Sequence, residues 1–243
     1  MRLASSPPDP FAGDAPWQSG LSRAALHELY AAAEADAPAT TGAALAFARL
    51  AADGRPVLWV RHEALDREAG APYSPGLAEL GIDPARLIFV RARDVQAALQ
   101  AGLDGARCAA PGAVVVELRG EAKEFDLTAS RRLVLAARAS GTPVLLARSA
   151  AQPQPSAAET RWRVRAAPSR ALAANAPGHP AFYLSLLRHR GGLAPGEWHL
   201  EWNRDKGCFA DGTVAPLSRG VVPVSFDRPR GAGEDEMPLR KAG

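Results

Sequence analysis

One stretch near the start of the chain has the layout of a phosphate-binding loop but lacks the residues that bind phosphate. An apolar strand pattern at 26–30 is followed by a loop that starts at Ala31 and ends at Gly42, and then by a helical run at 43–52. Loops of the pattern G-x-x-x-x-G-K-[ST] use glycines to bring backbone N–H groups onto phosphates, a lysine to neutralise them, and a hydroxyl to hold Mg²⁺. Here Ala31 and Asp36 supply neither glycine, so this is a degenerate phosphate loop.

The charges of this loop are also wrong for a nucleotide. No lysine occurs between Met1 and Glu121, whereas Glu34 and Asp36 place negative charges where a triphosphate would lie. The sequence therefore predicts no nucleotide cofactor and no catalysis, and it favours a protein that works by binding partners.

A second set of candidate residues is basic. Arg161, Arg163 and Arg165 alternate with Trp162 and Val164, so in a strand the guanidinium groups would share one face. Groups at this spacing could contact successive phosphates of DNA, or an acidic surface of a partner protein. The alternative is a solvated edge strand whose charges prevent pairing with another sheet. The same two interpretations apply to a smaller basic cluster, Arg188 and Arg190.

Other reactive side chains show no pattern that indicates a site. Cys108 and Cys208 lie far apart, which suggests neither a zinc site nor a disulfide framework and fits a reducing cytosol. No G-x-S-x-G motif supports hydrolase chemistry. No metal site is predicted, because metal-ligand spacing is absent among the five histidines, His27, His62, His179, His189 and His199.

Composition is that of a water-soluble protein with a sizeable core. The chain has 243 residues, of which 47% are apolar, and its net charge of +3 permits contact with nucleic acid without demanding it. No apolar leader precedes the first strand pattern, and no apolar run approaches the roughly 18 residues of a membrane span. We therefore expect a cytoplasmic protein that makes no membrane contact.

Strand and helix patterns alternate through the first two thirds of the chain. The patterns predict strands at 56–61, 87–91, 113–118 and 143–147 after the one at 26–30, and helices at 41–53, 75–81, 94–107 and 127–140. Three strand segments are continuously apolar, as expected of strands buried on both faces: 57–60, 88–90 and 114–116. The alternation predicts an α/β fold, with a mostly parallel sheet covered by helices on both faces.

The chain after about residue 152 has a different texture. Strict alternation at 161–165 and 198–202, with 183–190 as a further candidate, predicts antiparallel strands that extend the sheet at one edge; Trp198, Leu200 and Trp202 form its packed face. The predicted organisation is a disordered tail at 1–18, a core domain at 19–170, an antiparallel extension at 171–209, and a largely disordered tail at 210–243 that contains one apolar run, 221–226.

Several ordered segments resemble the RecA-like fold. Segments 19–22 and 28–30 are similar to the G-G-L-P…E-I-Y entry into the RecA phosphate loop, and 60–66 is similar to I-D-A-E-H-A-L-D. Segment 80–87 resembles L-G-V-D-x-x-x-L, and Val114-Val115-Val116-Glu117 stands where a Walker-B strand would end. The series implies a RecA-like sheet over residues 19–170.

The resemblance implies roles for two carboxylates. Glu63 stands where RecA-like ATPases keep the residue that polarises the attacking water, and Glu117 stands where a carboxylate holds Mg²⁺ through water. A general base needs a bound γ-phosphate, and Glu117 has no serine or threonine of the loop as its partner ligand. We therefore interpret both as structural carboxylates, with Glu63 solvated or salt-bridged at a strand end.

A closer resemblance is to the ImuA family of RecA-like, SulA-related bacterial proteins. It covers about residues 19–209, although the longer N-terminal helix of many members is missing. The matching segments are 26–28, 56–60, 156–162, 166–169, 184–190 and 198–202.

The resemblance implies a part in error-prone translesion synthesis after DNA damage. ImuA-like proteins act with ImuB, an inactive homologue of Y-family polymerases, and with an error-prone C-family polymerase. The resemblance also allows RecA as a partner, weak contact with DNA, and association with the nucleoid after damage. Two alternatives stay open at this point: a divergent RecA-type ATPase and a SulA-like inhibitor of cell division.

Overall fold

A nine-stranded sheet forms the centre of the molecule in the computed structural model, which describes residues 21–176 and 178–212. The predicted tail at 1–18, the part of the predicted tail beyond residue 212, and the apolar run 221–226 lie outside the described residues. The strands are β1 Leu26–Ala31, β2 Val57–His62, β3 Leu87–Ala92, β4 Ala113–Arg119, β5 Val144–Ser149, β6 Thr160–Ala166, β7 Ala181–His189, β8 Gly196–Asn203 and β9 Cys208–Asp211.

The sheet is parallel at one side and antiparallel at the other. Its strand order is β3-β2-β4-β5-β1-β6-β7-β8-β9, and every pairing from β3 to β6 is parallel. The pairings from β6 through β9 are antiparallel. This arrangement confirms the predicted α/β class and is consistent with the RecA-like sheet and antiparallel extension that the resemblance implies.

Helices cover both faces of the parallel part. On one face α1 packs against the central strands, and on the other α4 and α5 lie side by side over a second apolar core. α4 comes close to the sheet because Gly102 and Gly105 face it, and a Cβ at either would overlap Val116 or Leu58. The α-helices are α1 Ala37–Ala52, α2 Ala64–Ala69, α3 Ser74–Glu79, α4 Val95–Arg107 and α5 Leu127–Ser140.

The predicted strands and long helices are confirmed within a few residues, but two short elements were missed. α2 is only six residues long and has no sustained apolar periodicity, and β9 has only four residues. Neither is long enough for a repeat to stand out in the sequence. Both are secured by tertiary neighbours, α2 by β2 and β4, and β9 by β8.

Burial on both faces is confirmed for two of the three segments. Residues 57–60 and 114–116 are all buried. For β3 the prediction was wrong, since Ile88 and Phe89 are 49% and 37% exposed. The reason is that β3 is the end strand of the sheet, and pairs with β2 alone.

The idea of an arginine-bearing edge strand was also wrong. β6 pairs with β1 on one side and with β7 on the other, so it lies inside the sheet. Its alternation is as predicted, with Trp162 and Val164 buried against the α1 core. Leu200 and Trp202 join them, and the half-buried Trp198 packs against Trp162 at 5.8 Å between ring centroids.

Within the described ranges, no helix is both long enough and apolar enough to cross a lipid bilayer. Cys108 and Cys208 are free thiols.

Candidate functional site

The degenerate loop lies where β1 ends and α1 begins, and its own carboxylate binds its backbone. Asp36 Oδ2 accepts the N–H of Ala33 at 3.1 Å, and Asp36 Oδ1 accepts the N–H of Ala166 at 2.9 Å. In a phosphate loop such N–H groups point at the ligand. Here Asp36, almost fully buried, satisfies them and ties the loop to the end of β6.

The other loop carboxylate is held by a cation from the same end of the sheet. Glu34 forms an ion pair with Arg119, which ends β4 and also lies 3.5 Å from Glu68. The Glu34 carboxylate, whose charge would repel a triphosphate, is thus paired with the guanidinium group of Arg119. This contact joins the loop after β1 to the end of β4.

A buried polar cluster centres on Glu117, near the end of β4. Glu117 is only 4% exposed, and the Arg61 guanidinium of β2 donates to its Oε2 and Oε1 at 3.0 and 3.2 Å. Trp59 Nε1 donates to Oε2 at 3.1 Å, and the Thr41 hydroxyl of α1 lies 2.5 Å from Oε1. Arg61 is bound a second time, by Asp66 at 2.9 Å. Every group of the cluster therefore has a partner within the protein.

Burial has the largest effect on the pKa of Glu117. Desolvation raises the pKa of Glu117 above that of an ordinary glutamate, while the charge of Arg61 and the hydrogen bonds from Thr41, Trp59 and Arg61 act in the opposite direction. The carboxyl group keeps its proton to a higher pH than the same group in the unfolded chain.

One prediction about Glu117 needs correction. The sequence indicated no loop hydroxyl as a partner for this carboxylate, but Thr41 provides one from the second turn of α1. Since α1 begins at Ala37, four residues after Ala33, the hydroxyl reaches the sheet from the helix and not from the loop. Arg61 and Asp66 were missed as members of the cluster. The sequence feature that could have indicated Arg61 is its position as a charged residue directly after the apolar run 57–60.

Glu63 is separate from this cluster. It lies at the start of α2, half-buried, and its backbone N–H donates to Ala92 O at 2.9 Å. Among the described residues its side chain has no hydrogen bond or ion pair, so it matches the solvated interpretation and not the salt-bridged one.

A cleft of about 400 Å³ opens beside the cluster, between α1 and the segment that contains α2 and α3. Trp59 and Glu117 lie on its floor, while Leu45, Leu77 and Tyr73 lie on its walls. Tyr73 is 74% exposed, and the exposed Phe89 of β3 continues the apolar surface to the edge of the sheet. Volume and lining are those of a site for an apolar group of moderate size.

Four of the five candidate arginines lie on the sheet face opposite α1, and the fifth, Arg190, lies in the turn after β7. Arg161 is largely buried: its Nε donates to Glu28 at 2.7 Å and its guanidinium lies over the Tyr30 ring. Arg188 donates to the carbonyl oxygens of Ser156 and Ala158. The guanidinium groups of Arg161 and Arg188 are therefore both bound by groups of the protein itself.

The other three arginines are exposed. The side chains of Arg163 and Arg190 have no hydrogen bond or ion pair among the described residues. Arg165 stacks on the Tyr183 ring at 4.3 Å from its centroid and lies 3.8 Å from Glu197. The structure thus brings the candidate arginines together and leaves three of them accessible.

The histidines are distributed over the fold. His27 is buried, and its ring nitrogens lie 2.8 Å from Thr160 Oγ1 and from Ser22 O. Over the part of the chain that is described, no three His, Cys, Asp or Glu side chains are grouped in a way that could hold a metal ion.

Comparison with known proteins gives one kind of relative. Protein ImuA of Caulobacter vibrioides, from strain NA1000 / CB15N and from strain ATCC 19089 / CIP 103742 / CB 15, is 36% identical to the chain over 159 residues. The match covers 61% of the chain and 61% of the length of these relatives. No protein-family model matches. The similarity confirms the predicted resemblance to the ImuA family over the matched residues.

Proposed function

We propose that the protein is a non-catalytic accessory factor in damage-induced, error-prone translesion synthesis. In this proposal it bridges an ImuB-like inactive polymerase homologue and an error-prone C-family polymerase, with RecA as a further partner. The similarity to Protein ImuA supports the assignment over the matched residues, which span about three fifths of those relatives.

The observation that carries the non-catalytic part is the self-occupied loop. Asp36 takes the N–H groups of Ala33 and Ala166, so that an incoming phosphate would have to displace a carboxylate from the same donors. The neighbouring carboxylate, Glu117, is already bound by Arg61 and two neutral donors. A site whose groups are satisfied from within supports a binding role.

The cleft and the adjoining edge of β3 support a protein partner. Tyr73 and Phe89 are large, apolar and exposed, and they line two connected clefts that share Trp59 and Leu77. Exposed apolar groups gathered around a concavity are typical of protein interfaces. We assign one arm of the proposed bridge to this surface, which we call the β3 surface (Tyr73 and Phe89).

The test is the damage-induced mutation frequency of a strain that lacks the gene and is complemented with variants. We expect wild type to restore mutagenesis, and Tyr73→Ala combined with Phe89→Ser to fail while staying folded. Leu135→Ser, a control at an exposed leucine of α5, should restore it fully. Affinity capture from damaged cells should recover the polymerase components with wild type and with the control. Full mutagenesis without the protein would refute the proposal, and capture of the division tubulin instead would favour a SulA-like role.

One observation favours the alternative of a divergent ATPase. The Thr41 hydroxyl and the Glu117 carboxylate lie 2.5 Å apart, and a hydroxyl beside a carboxylate is the pair that a phosphate-bound Mg²⁺ uses. A measurement of Mg-ATP binding distinguishes the non-catalytic accessory factor from the divergent ATPase.

A further inference from the structure

The antiparallel side of the sheet has one face that no helix of residues 21–176 and 178–212 covers. On strands β6, β7 and β8, alternate side chains are buried against the α1 core, and the residues between them point to the opposite face. α4 and α5 lie on that opposite face, but they pack mainly against strands β1 to β5. We call this surface the open face; it consists of Arg163, Arg165, Tyr183, Ser185, Glu197 and His199.

The open face is organised in rows that cross the three strands. Arg165, Tyr183 and His199 are register neighbours, and so are Arg163, Ser185 and Glu197. In the first row the guanidinium group stacks on the tyrosine, whose ring centroid lies 4.9 Å from that of the histidine. The row therefore presents a guanidinium, a phenol and an imidazole side by side.

Positive charge concentrates on one side of the open face. Arg163 is exposed and its side chain is unpaired among the described residues, and the basic side continues with Arg188 on β7 and Arg190 in the turn that follows. Burial lowers the pKa of Arg188, and the nearby charges of Arg161 and Arg190 act in the same direction. The acidic groups are Glu197 and Glu201 on β8, together with Glu159 beside Arg188; Glu28 is taken by Arg161.

The spacing of the two accessible arginines fits a phosphodiester chain. Residues two apart in a strand are separated by about 6.6 Å, a distance similar to that between successive phosphates of an extended single strand. A nucleic-acid backbone that runs along Arg163 and Arg165 would bring its bases over the neighbouring strands β7 and β8. There the planar side chains of Tyr183 and His199 can stack on unpaired bases. A duplex keeps its bases stacked inside and could use the charges alone.

We propose that the open face binds single-stranded nucleic acid, with Arg163 and Arg165 contacting the phosphates and Tyr183 and His199 the bases. This goes beyond the proposed bridging function, since it assigns a ligand to a surface remote from the β3 surface. Glu197 lies 3.8 Å from Arg165 and accepts a hydrogen bond from Ser185 at 2.6 Å. Its negative charge would repel a phosphate bound at Arg165, so we expect weak binding.

The experiment is fluorescence anisotropy of a labelled oligo-dT with the full-length protein, over a series of salt concentrations. The double variant Arg163→Ala, Arg165→Ala should bind more weakly and should lower the salt slope of log K by about 1.4, or about 0.7 for each phosphate contact. Glu197→Gln should strengthen binding. Tyr183→Ala should weaken binding while keeping the wild-type salt slope, because it removes stacking and no charge.

Arg93→Ala is the matched control. Arg93 is an exposed arginine that follows β3, and β3 is five strand positions, or about 24 Å, from β6. It should bind oligo-dT like wild type. The proposal is overturned if the double variant keeps the affinity and slope of wild type, or if a duplex of equal length binds as well as the single strand. It is also overturned if a polyglutamate peptide displaces the oligonucleotide at equal charge concentration, which would assign the face to an acidic protein.

Discussion

The Arg61 guanidinium on β2 binds both carboxylate oxygens of Glu117 on the adjacent strand β4, at 3.0 and 3.2 Å. Arg61 and Glu117 are directly opposite each other in the parallel register. The pair therefore places a cation of the protein beside the carboxylate that the RecA-like resemblance associates with Mg²⁺. Because Arg61 is bound by Asp66 as well, its charge stays compensated if Glu117 is neutral.

The first prediction concerns the ionisation of Glu117. Because its pKa is raised in the folded state, the folded protein binds more protons than the unfolded chain above the ordinary value of 4.5, and stability falls as pH rises through that interval. Glu117→Gln removes the titration and keeps an acceptor. We expect equal unfolding free energies for the two proteins at about pH 4, and a variant that is more stable by about 1 kcal/mol at about pH 7.

Urea denaturation at both pH values is the measurement, and Glu117→Ala is the comparison. The alanine variant leaves the donors of Arg61, Trp59 and Thr41 without their acceptor and should cost about 3 kcal/mol at either pH. A glutamine variant that is less stable than wild type at neutral pH would mean that the charge of Arg61 outweighs desolvation.

The second prediction is that Mg-ATP does not bind tightly and is not hydrolysed. The buried Asp36 carboxylate already holds the N–H groups of Ala33 in the loop and Ala166 at the end of β6, and Glu34, paired with Arg119, is a second carboxylate in the same loop. Isothermal titration should give no binding heat beyond dilution. Micromolar binding that is lost in Glu63→Gln or Glu117→Gln would establish the ATPase alternative.

The third prediction concerns the core of the parallel sheet. Val115 is fully buried beneath α1, and Val115→Asp would place an unpaired carboxylate there at a cost of several kcal/mol, roughly 4 or more. Leu135→Asp, on the exposed surface of α5, should change stability by about 0.5 kcal/mol or less. Thermal unfolding measures both. An unchanged melting temperature for Val115→Asp would contradict the described packing.

The fourth prediction separates two neighbouring arginines. Arg161→Ala leaves Glu28 buried without its cation and should destabilise the fold by about 3 kcal/mol or more, because an unpaired buried charge is costly. Arg163→Ala removes an exposed, unpaired side chain and should cost about 0.5 kcal/mol or less. Chemical denaturation of the two variants side by side is the check. Equal, small effects would mean that the ion pair with Glu28 contributes nothing to folding.

Much of the fold could be predicted from local sequence. Segments 57–60 and 114–116 are continuously apolar because both of their faces are buried, and Trp162 and Val164 alternate with arginines because only one face of β6 is. Ile88 and Phe89 have the same apolar pattern but lie at the end of the sheet. The position of a strand in the sheet depends on pairing between distant segments, which a local pattern does not contain.

By itself, the sequence determined that the phosphate loop is degenerate, that α and β elements alternate, and that arginines share one face of β6. Only the tertiary structure decided what these residues do, because their partners are distant in the chain. Arg61 meets Glu117 and Glu28 meets Arg161 across strand pairings that no local spacing encodes, and the same fold brings Asp36 to Ala166 and Thr41 to Glu117. Those pairings also bury Arg161 while leaving Arg163 exposed, although the two residues occupy equivalent positions in the sequence pattern.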